Sequence, residues 1–373
     1  MSQIAYKLYI DDQPASGELI DVIQQLEVED HVDMADMVRL SVAIGIRDGC
    51  GSWNVVDENI FQRLTKLRID VNVGSGKTEP LIEAYVIETD AGFANQPGQS
   101  MLNVVAMEPT VKMNLKETVR PWPNMADSDI AEEIFRDYKF TAVVDATQPA
   151  RDEIDHTEIQ RGTDIQFLQS LAMRNGFECY VELNPQTGQV EGHFHKPRLQ
   201  QTSQGVLSVN LGPATNVNSF NAKFDMLKPA MVAAKNVDVH AREQQSADSQ
   251  SLGDKQLGSA STVADDSRQV LLGGTGLAET GELQTAAQAE VDRSSWAITA
   301  EGDVNTVAYG DVLRAKRPVE VRGVGLQFSG TYYVEQVLHT FNGDGYTQHF
   351  SLRRNAAGLT GSENFVDDGA LPS

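Results

Sequence analysis

Alternation of apolar and polar residues is clearest near the end of the chain, at residues 323–354. Two runs rich in β-forming residues, 330–341 and 346–353, flank Asn342-Gly343-Asp344-Gly345, whose residues accept positive φ at little steric cost. The pattern therefore predicts a hairpin. In its second run one face carries Tyr346, Phe350 and Leu352, and the other carries Thr347, His349, Ser351 and Arg353.

The first strand of this hairpin has apolar residues on both faces. Strict alternation puts Tyr332, Val334 and Leu338 on one face and Tyr333, Val337 and Phe341 on the other. Such a strand is expected to be covered by protein on both sides. One cover is a core, and another subunit is a candidate for the second.

Residues 1–108 show one strand signal of period two after another. Residues 81–89 and Met101–Met107 are separated by a Gly/Asn/Pro-rich stretch, 91–100, which predicts another hairpin. Many short strands without long helices predict a barrel or a sandwich. The earlier alternating positions are Tyr6, Leu8 and Ile10; Val38, Leu40, Val42 and Ile44; and Leu67, Ile69, Val71 and Val73.

Helical periodicity begins after residue 108. Thr163 and Gln166 have the spacing of a capping box, and the helix that they open is expected to end at Asn175-Gly176. Residues 177–183 and 189–195 then predict a hairpin. An earlier helix, with Asp127 or Ser128 as its cap, carries Ile130, Ile134, Phe135 and Tyr138 at helical spacing. We assign residues 109–200 to a small α+β domain.

Strand character returns at residues 206–211 and 220–239, and again shortly before the closing hairpin. We assign residues 201–240 and 297–354 to a second β domain. Residues 241–296 form a polar insertion, in which the Ser/Gln/Asp/Gly-rich stretch 241–281 predicts a mobile loop and 283–296 a helix. Residues 355–373 form a C-terminal tail in this interpretation.

The two β domains end in similar sequences. Residues 84–89, AYVIET, and residues 332–337, YYVEQV, each start a hairpin with an aromatic residue followed by valine. Common architecture and a chance likeness between hairpins both remain open on this pattern. The predicted fold class is mainly β with an α+β insertion: two antiparallel, tube-like β-barrel domains and a small α+β domain.

Composition narrows the class of protein. A chain of 373 residues is long enough for two to four domains. No apolar run is long enough to span a bilayer, and the first ten residues lack a signal-peptide pattern, so no membrane insertion is expected. Only Cys50 and Cys179 are present, which predicts a reducing compartment rather than a disulfide framework. The net charge of −23 opposes stable nucleic-acid binding.

Two glycine-rich segments resemble nucleotide-binding motifs only superficially. Gly74-Ser75-Gly76-Lys77-Thr78 has Val71 where a phosphate-binding loop needs glycine, and Pro80 follows where a helix should begin. Gly323-Val324-Gly325 lacks the third glycine of a dinucleotide-binding motif, because Phe328 occupies that position. Strand turns are the favoured interpretation of both segments, and no cofactor is predicted.

Histidines supply the remaining candidates for chemistry. Glu191, His193 and His195 share one face of a predicted strand and could be metal ligands, but no HExxH or CxxC partner accompanies them. His339 and His349 lie on the two strands of the closing hairpin and are expected to be packing neighbours. No Ser/His/Asp order or isolated carboxylate pair is present. We therefore predict no catalytic, cofactor-binding or metal-binding residues, and no enzyme.

Several stretches together resemble the phage late control protein D family, the baseplate hub proteins of contractile tails. That family is similar to the hub portion of type VI secretion spike proteins. The matching residues are 128–134, SDIAEEI; 163–168, TDIQFL, continuing to 174–177, RNGF; and 328–334, FSGTYYV, with His339, Phe341, Gly345, Tyr346 and Phe350.

The resemblance implies a homotrimeric ring with two barrel domains per chain. Three copies of a duplicated unit present near-sixfold symmetry to a hexameric tail tube protein and threefold symmetry to a trimeric spike protein. Baseplate wedge proteins, and tape measure proteins as a further candidate, are the other partners that it implies. The expected location is a virion tail baseplate or an injection particle, assembled in the bacterial cytoplasm.

Fused spike proteins continue beyond the second barrel, whereas this sequence ends soon after Arg354. The spike is therefore expected to be a separate chain, on which residues 355–373 either dock or remain loose.

Two other function classes compete with the hub. A tail-associated peptidoglycan hydrolase would need a catalytic pair that the sequence lacks. A carbohydrate-binding tail-tip protein would need exposed aromatic platforms, but Trp53, Trp122 and Trp296 are scattered and are expected in cores or connectors.

Overall fold

A computed structural model gives the structure of the protein. It describes residues 5–46, 51–73, 78–96, 98–148, 153, 157–238, 243–273 and 280–365. Strands, most of them paired antiparallel, dominate the fold, and the largest sheet has 13 strands. The mainly β fold with an α+β part is therefore confirmed.

The first β unit extends from β1 to β7. Its core contains Leu26, Val28, Leu40 and Val104, which alternate with polar residues along their strands. All five strand regions predicted here are present, but two further strands, β2 (Gln13–Pro14) and β3 (Ile23–His31), were not predicted. Its elements are β1 (Ala5–Ile10), β2 (Gln13–Pro14), α1 (Gly17–Val22), β3 (Ile23–His31), β4 (Met37–Ala43), β5 (Lys66–Asn72), β6 (Thr78–Gly92) and β7 (Met101–Met107).

The α+β unit follows and has its own core around Trp122, Phe135, Leu168 and Phe194. Its hairpin of β11 and β12 was predicted. Its elements are α2 (Thr110–Met113), β8 (Glu117–Trp122), α3 (Asp127–Asp137), β9 (Thr141–Val144), β10 (Glu158–Thr163), α4 (Asp164–Asn175), β11 (Glu178–Leu183) and β12 (Val190–His195).

The helix caps of this unit were predicted with mixed success. At α4 the Thr163 hydroxyl accepts from the Gln166 backbone N–H, and Gly176 ends the helix at φ 67°. The cap predicted for α3 is wrong. That helix begins one residue earlier, with Ala126 at the N-cap, and the Asp129 carboxylate accepts from the Ala126 N–H.

The second β unit contains the closing hairpin, β21 and β22, and surrounds the insertion. In the described part of the tail, β23 (Ala356–Ala357) pairs with β17 (Ala260–Ser261). The strands of the second unit are β13 (Val206–Ser208), β14 (Val217–Phe224), β19 (Ile298–Val304), β20 (Pro318–Arg322), β21 (Gly330–Asn342), β22 (Gly345–Arg354) and β23 (Ala356–Ala357), with a 3-10 turn (Gly212–Ala214) and short helices α6 (Thr306–Tyr309) and α7 (Gly325–Phe328).

The insertion differs from its prediction, because described residues of the expected mobile loop form strands. They are β16 (Glu243–Ser249), β17 (Ala260–Ser261) and β18 (Arg268–Gly273). With β15 (Ala230–Asp238), β16 and β18 make a sheet on which the predicted helix α5 (Thr280–Ser295) packs. The buried residues of β16, Ala247 and Ser249, are small. The polar composition of this stretch therefore did not indicate that it forms a sheet with one buried face.

The two β units share one sheet. The strand order is β14-β19-β22-β21-β3-β4-β7-β6-β5-β1-β2, with β20 paired to β21 and β13 paired to β20. The joint between units is the antiparallel pair of β21 with β3, in which Gln336 faces His31 and Asn342 faces Gln25. No sheet in the described residues closes into a barrel. The prediction of two closed barrels is therefore corrected, because β3 pairs across to the other unit.

The two β units repeat one topology. In the first, five successive strands are ordered β3-β4-β7-β6-β5, and in the second five are ordered β14-β19-β22-β21-β20. Numbered along the chain, both orders are 1-2-5-4-3, and every pair within them is antiparallel. A shared order of five strands supports common architecture over chance likeness between hairpins.

Local irregularities also recur at equivalent places. The ladder between β6 and β7 shifts register between Val86 and Glu88, and that between β21 and β22 shifts between Val334 and Gln336. Both valines exchange backbone hydrogen bonds with a segment whose first residue has positive φ. That residue is Leu64 at 62° in the first unit and Lys316 at 65° in the second. Bulges and strained turns are specific features, so their repetition strengthens the relation between the units.

The bulge corrects the predicted faces of β21. Because one extra residue enters the strand after Val334, Val337 and Phe341 follow on the same face as Tyr332 instead of the opposite one. Tyr333 faces the other way, into a small cluster with Trp296 and others of this chain. At Tyr333 the second cover is thus supplied by the same chain.

Among the helices of the described residues, none has the length and apolarity that a membrane crossing requires.

Candidate functional site

One face of the β11–β12 hairpin concentrates titratable side chains against the two β units. Residues directly opposite each other on this face are Glu178 with His195, Tyr180 with His193 and Glu182 with Glu191. The Tyr180 and His193 rings stack with centroids 4.5 Å apart. We call these six residues the hairpin face. The sequence prediction that Glu191, His193 and His195 share a face is confirmed.

Lys316 of the second β unit lies buried between two carboxylates of the first. Its Nζ is 2.6 Å from Asp30 Oδ1 and 2.8 Å from Asp36 Oδ2. Burial alone would lower the pKa of Lys316, but the carboxylates outweigh burial and hold it above its usual value. Burial would raise the pKa of Asp30, but Lys316 lowers it to about 2. These charges fasten the segment before β20 to β3.

A second buried ion pair links the hairpin face to β21 and β22. Arg353 Nη2 lies 2.9 Å from Glu178 Oε1, and the Tyr333 hydroxyl donates to Glu178 Oε2 at 2.7 Å. Burial raises the pKa of Glu178 to about 7, although Arg353 and Tyr333 act in the opposite direction. The Arg353 guanidinium also lies 4.7 Å from the centroid of Trp296. Three units therefore meet at one buried polar junction.

Glu182, Glu191 and His193 form a cluster whose potential ligand atoms lie within 4.8 Å of one another. His193 Nε2 is 3.5 Å from Glu182 Oε1 and 3.4 Å from Glu191 Oε2. Burial lowers the pKa of His193 to about 2, with His195 and the cations of Lys316, Arg317 and Arg198 acting in the same direction. His195 is not a fourth member of this cluster, because its Nε2 contacts His193 Nδ1 at 3.0 Å.

His339 and His349 are not the packing neighbours that the sequence suggested. The register pairs His339 with Gln348 and His349 with Leu338, so the two rings lie on opposite faces. His339 is fully buried and its Nδ1 is 2.8 Å from the Tyr346 hydroxyl. His349 is exposed and contacts Asp303. Neither histidine joins the hairpin face.

The glycine-rich segments behave as turns where they are described. Gly323 has φ 87°, and a Cβ there would lie 1.8 Å from the Val209 carbonyl oxygen. Only glycine allows this approach of two backbones, which explains the residue without a nucleotide. The lysine-containing segment at residues 74–77 lies outside the described residues. Trp122 and Trp296 are buried and Trp53 is partly buried, as expected for core and connector residues.

Sequence reasoning missed the charged residues of the junction. Asp30, Glu178, Lys316 and Arg353 are far apart in the chain, and a charge in a mainly β sequence is usually solvated. The one available signal was Arg314-Ala315-Lys316-Arg317 between the apolar runs at residues 312–313 and 318–319. Because its charged groups are paired and buried, the junction can hold charged side chains out of water and fix the positions of the three units relative to one another.

Comparisons with known proteins complete this description. The fold is similar to that of the 43 kDa tail protein of prophage MuSo2 from Shewanella oneidensis, with a TM-score of 0.64 at 13% identity over 94% of this chain and 98% of that one. A tail protein from Neisseria meningitidis MC58 has a TM-score of 0.66 at 11% identity, covering 95% and 97%. A component of the Escherichia coli type VI secretion system reaches 0.57 at 10% identity, covering 93% and 76%.

These likenesses give the chain a phage tail-type fold. This agrees with the resemblance to phage tail proteins that the sequence showed. None of the curated proteins matches the chain. The late control protein D family is not the one whose model matches. The family model that does match is described as the Alg8 N-terminal domain and covers residues 4–343. By this match the chain belongs to the Alg8 N-terminal domain family.

Proposed function

We propose that this chain is a non-enzymatic structural hub of a contractile phage tail or related injection particle, close to the late control protein D proteins. Three copies form a ring that adapts a threefold spike to a sixfold tail tube. Wedge and tape measure proteins are its further partners, and the baseplate is its location. The domains are those assigned from the sequence, with residues 241–296 as an insertion in the second β domain, except that β15 (Ala230–Asp238) belongs to the sheet of the insertion.

The duplicated strand order carries this proposal. Within one chain, the second half of β21 pairs with β3, the first strand of the other repeat. The repeat makes the second half of β6 equivalent to that of β21, and β14 equivalent to β3. In the described residues these two strands each have an unpaired edge. Residues 88–92 of β6 pair only with β7, and β14 pairs only with β19. Exposed strand edges are templates for pairing with another chain. A second copy can therefore form, between chains, the joint that each chain already contains.

The repeat also sets the register of this joint. Val86 matches Val334, so Glu88, Asp90 and Ala91 correspond to Gln336, Leu338 and His339. The bulge at the start of β14 matches that of β3, so Lys223 and Ala222 correspond to Glu29 and Val28. Since His339 faces Val28 and Leu338 faces Glu29, Ala91 is expected opposite Ala222, and Asp90 opposite Lys223.

The symmetry of the proposed ring follows from this joint. One joint lies within each chain and one between neighbouring chains, so three chains give six similar β units around one axis. A heterologous contact that repeats from chain to chain forms a ring when the rotation between neighbours closes, here after three steps. The true symmetry is threefold and the approximate symmetry is sixfold, which suits a spike at one end and a tube at the other.

Cysteine pairing tests the ring and its register. The variant carries Ala91→Cys and Ala222→Cys, with Cys50→Ser and Cys179→Ser to remove the native thiols. Facing residues on antiparallel strands have Cβ atoms about 4.5–5.5 Å apart, close enough for a disulfide after a small adjustment. Mild oxidation of the full chain should produce covalent dimers and then trimers on a non-reducing denaturing gel.

The matched control moves one cysteine to the neighbouring position. Lys223→Cys with Ala91→Cys places the thiols on opposite faces and should remain largely uncrosslinked. Native mass by light scattering accompanies both variants. A particle that stays monomeric at high concentration, or a covalent ladder that continues beyond three chains, would refute the hub.

A further inference from the structure

Hydrogen bonding on the hairpin face fixes the tautomers of its two histidines. His195 Nδ1 lies 2.8 Å from the Lys196 carbonyl oxygen, and a carbonyl can only accept, so this nitrogen carries the proton. In a neutral ring Nε2 of His195 is then an acceptor. It lies 3.0 Å from His193 Nδ1, which must therefore donate. With Nδ1 donating, the neutral form of His193 has a lone pair and no proton on Nε2.

That lone pair is directed at two carboxylates. The His193 side chain is 8% exposed, and its Nε2 has no hydrogen-bond partner. The nearest charged oxygens belong to Glu182 and Glu191, at 3.5 and 3.4 Å. All three atoms can only accept in these states, so their convergence is repulsive unless a cation lies between them.

The strand register adds to this repulsion. Glu182 and Glu191 face each other directly across β11 and β12, and like charges in that relation are destabilising. Each carboxylate is nevertheless held in place. Glu191 Oε1 accepts from the Asn184 amide at 2.9 Å, and Glu182 Oε1 accepts from Arg317 at 3.2 Å. Such outer contacts orient metal ligands in known sites, and here Arg317 offsets part of the negative charge.

The two distances from His193 suit a small tetrahedral ion. Two ligand atoms that are each about 2.1 Å from a tetrahedral Zn²⁺ lie about 3.4 Å apart. Both His193-to-carboxylate distances have this size. One imidazole nitrogen with two carboxylate oxygens is a mixed ligand set that favours zinc over calcium or magnesium, which prefer oxygen alone.

We propose that Glu182, Glu191 and His193 bind one divalent transition-metal ion of the Zn²⁺ type. The ion would tie β11 to β12 beside the junction of the three units, as a structural fastening. The site does not depend on the hub role, since all three ligands belong to one chain.

Metal titration of the full chain tests the site. After treatment with a chelator and dialysis, ZnCl₂ is added in a calorimeter, and CoCl₂ is followed by visible absorption as an independent probe of a low-symmetry site. One ion per chain is expected, with a rise in the thermal midpoint. His193→Gln should weaken binding at least about 10-fold, since it removes a ligand. His349→Gln, on an exposed histidine that contacts Asp303, is the matched control and should bind like the wild type.

Imidazole nitrogen NMR on the metal-free wild type tests the same proposal without a substitution. His193 should be neutral with its proton on Nδ1, and Nε2 should shift when ZnCl₂ is added. An imidazolium at neutral pH would mean that the proton already bridges the carboxylates, and the proposal would fail. Equal zinc binding by the wild type and by a folded His193→Gln variant would identify an adventitious ion only and would also overturn it.

Discussion

Lys316 shows how one residue can join two parts of a chain. Its side chain is 1% exposed, and its ammonium is shared by Asp30 and Asp36 of the other β unit. Removing one member of a buried ionic group leaves the others charged, dehydrated and unpaired. The stabilising effect of the group as a whole is smaller than the damage done by breaking it.

We predict that Lys316→Met lowers the free energy of unfolding by about 3–5 kcal/mol, because Asp30 and Asp36 then lose their counter-charge. The matched control is Lys66→Met, which breaks the more exposed pair with Asp12 and should cost at most about 1 kcal/mol. Urea unfolding followed by circular dichroism measures both. Equal losses in the two variants would contradict the role assigned to Lys316.

His339 predicts a particular response to acid. It is fully buried, and burial lowers its pKa to about 3 from an ordinary value near 6.5. The unfolded chain therefore binds a proton that the folded chain refuses as pH falls through this range. Stability is complete above pH about 6.5 and decreases below it, by about 1.4 kcal/mol per pH unit from this residue.

In His339→Gln this contribution should disappear, so the curve of unfolding free energy against pH should be shallower than that of the wild type between pH about 6 and 4. Measurements at pH about 8, where imidazole is neutral in both states, give the packing cost of the substitution alone. Parallel curves for the two proteins over the acid range would show that His339 is protonated in the folded state.

Among the elements, those with strong local signals were predicted from sequence. Helix α4 followed from the capping box of Thr163 and Gln166 and from Gly176, because caps depend on a few neighbouring residues. The closing hairpin followed from its turn, and Tyr346, Phe350 and Leu352 are buried as alternation required. These features are encoded within about ten residues, a span that periodicity reads directly.

The elements that were missed depend on contacts distant in the chain. β3 has only Leu26 and Val28 as fully apolar buried positions, and its place between β21 and β4 is decided by pairing with both. The bulge after Val334 reversed the faces of half a strand without any glycine or proline to mark it. In β16 the buried positions are small residues, so its sheet was mistaken for a loop.

The candidate cluster was predicted in part for the same reason. Glu191 and His193 could be grouped from their spacing, because alternate residues of a strand share a face. Glu182 could be added only once the register of β11 against β12 was known. The deciding feature, the lone pair that neutral His193 directs from Nε2 at two carboxylates, depends on a hydrogen bond to the Lys196 carbonyl, which no sequence pattern records.

At the scale of the whole molecule, net charge opposes assembly. Each chain carries −23 at neutral pH, so three chains in the proposed ring would repel one another. The exposed pair expected between Asp90 and Lys223 offsets little of this, because solvated ion pairs contribute about 0–1 kcal/mol.

We therefore predict that the fraction of trimer rises when NaCl is increased from about 20 mM to about 300 mM, as screening shortens the range of the repulsion. Sedimentation velocity at fixed protein concentration measures the fraction, and an equal concentration of sucrose without salt serves as the uncharged control. A trimer that dissociates on adding salt would indicate that ion pairs, and not apolar contacts, hold the chains together.

The repeated turn at Leu64 and Lys316 has a consequence for how such a ring would come apart. Lys316 meets Asp30 inside the chain, whereas the corresponding positions between chains are Leu64 and Phe224, both partly buried. Buried ion pairs within chains would thus alternate with apolar contacts between chains around the ring. Cooling weakens apolar contacts. Chilled rings would therefore separate into folded single chains at the three interfaces between chains, and the two β units of each chain would stay joined.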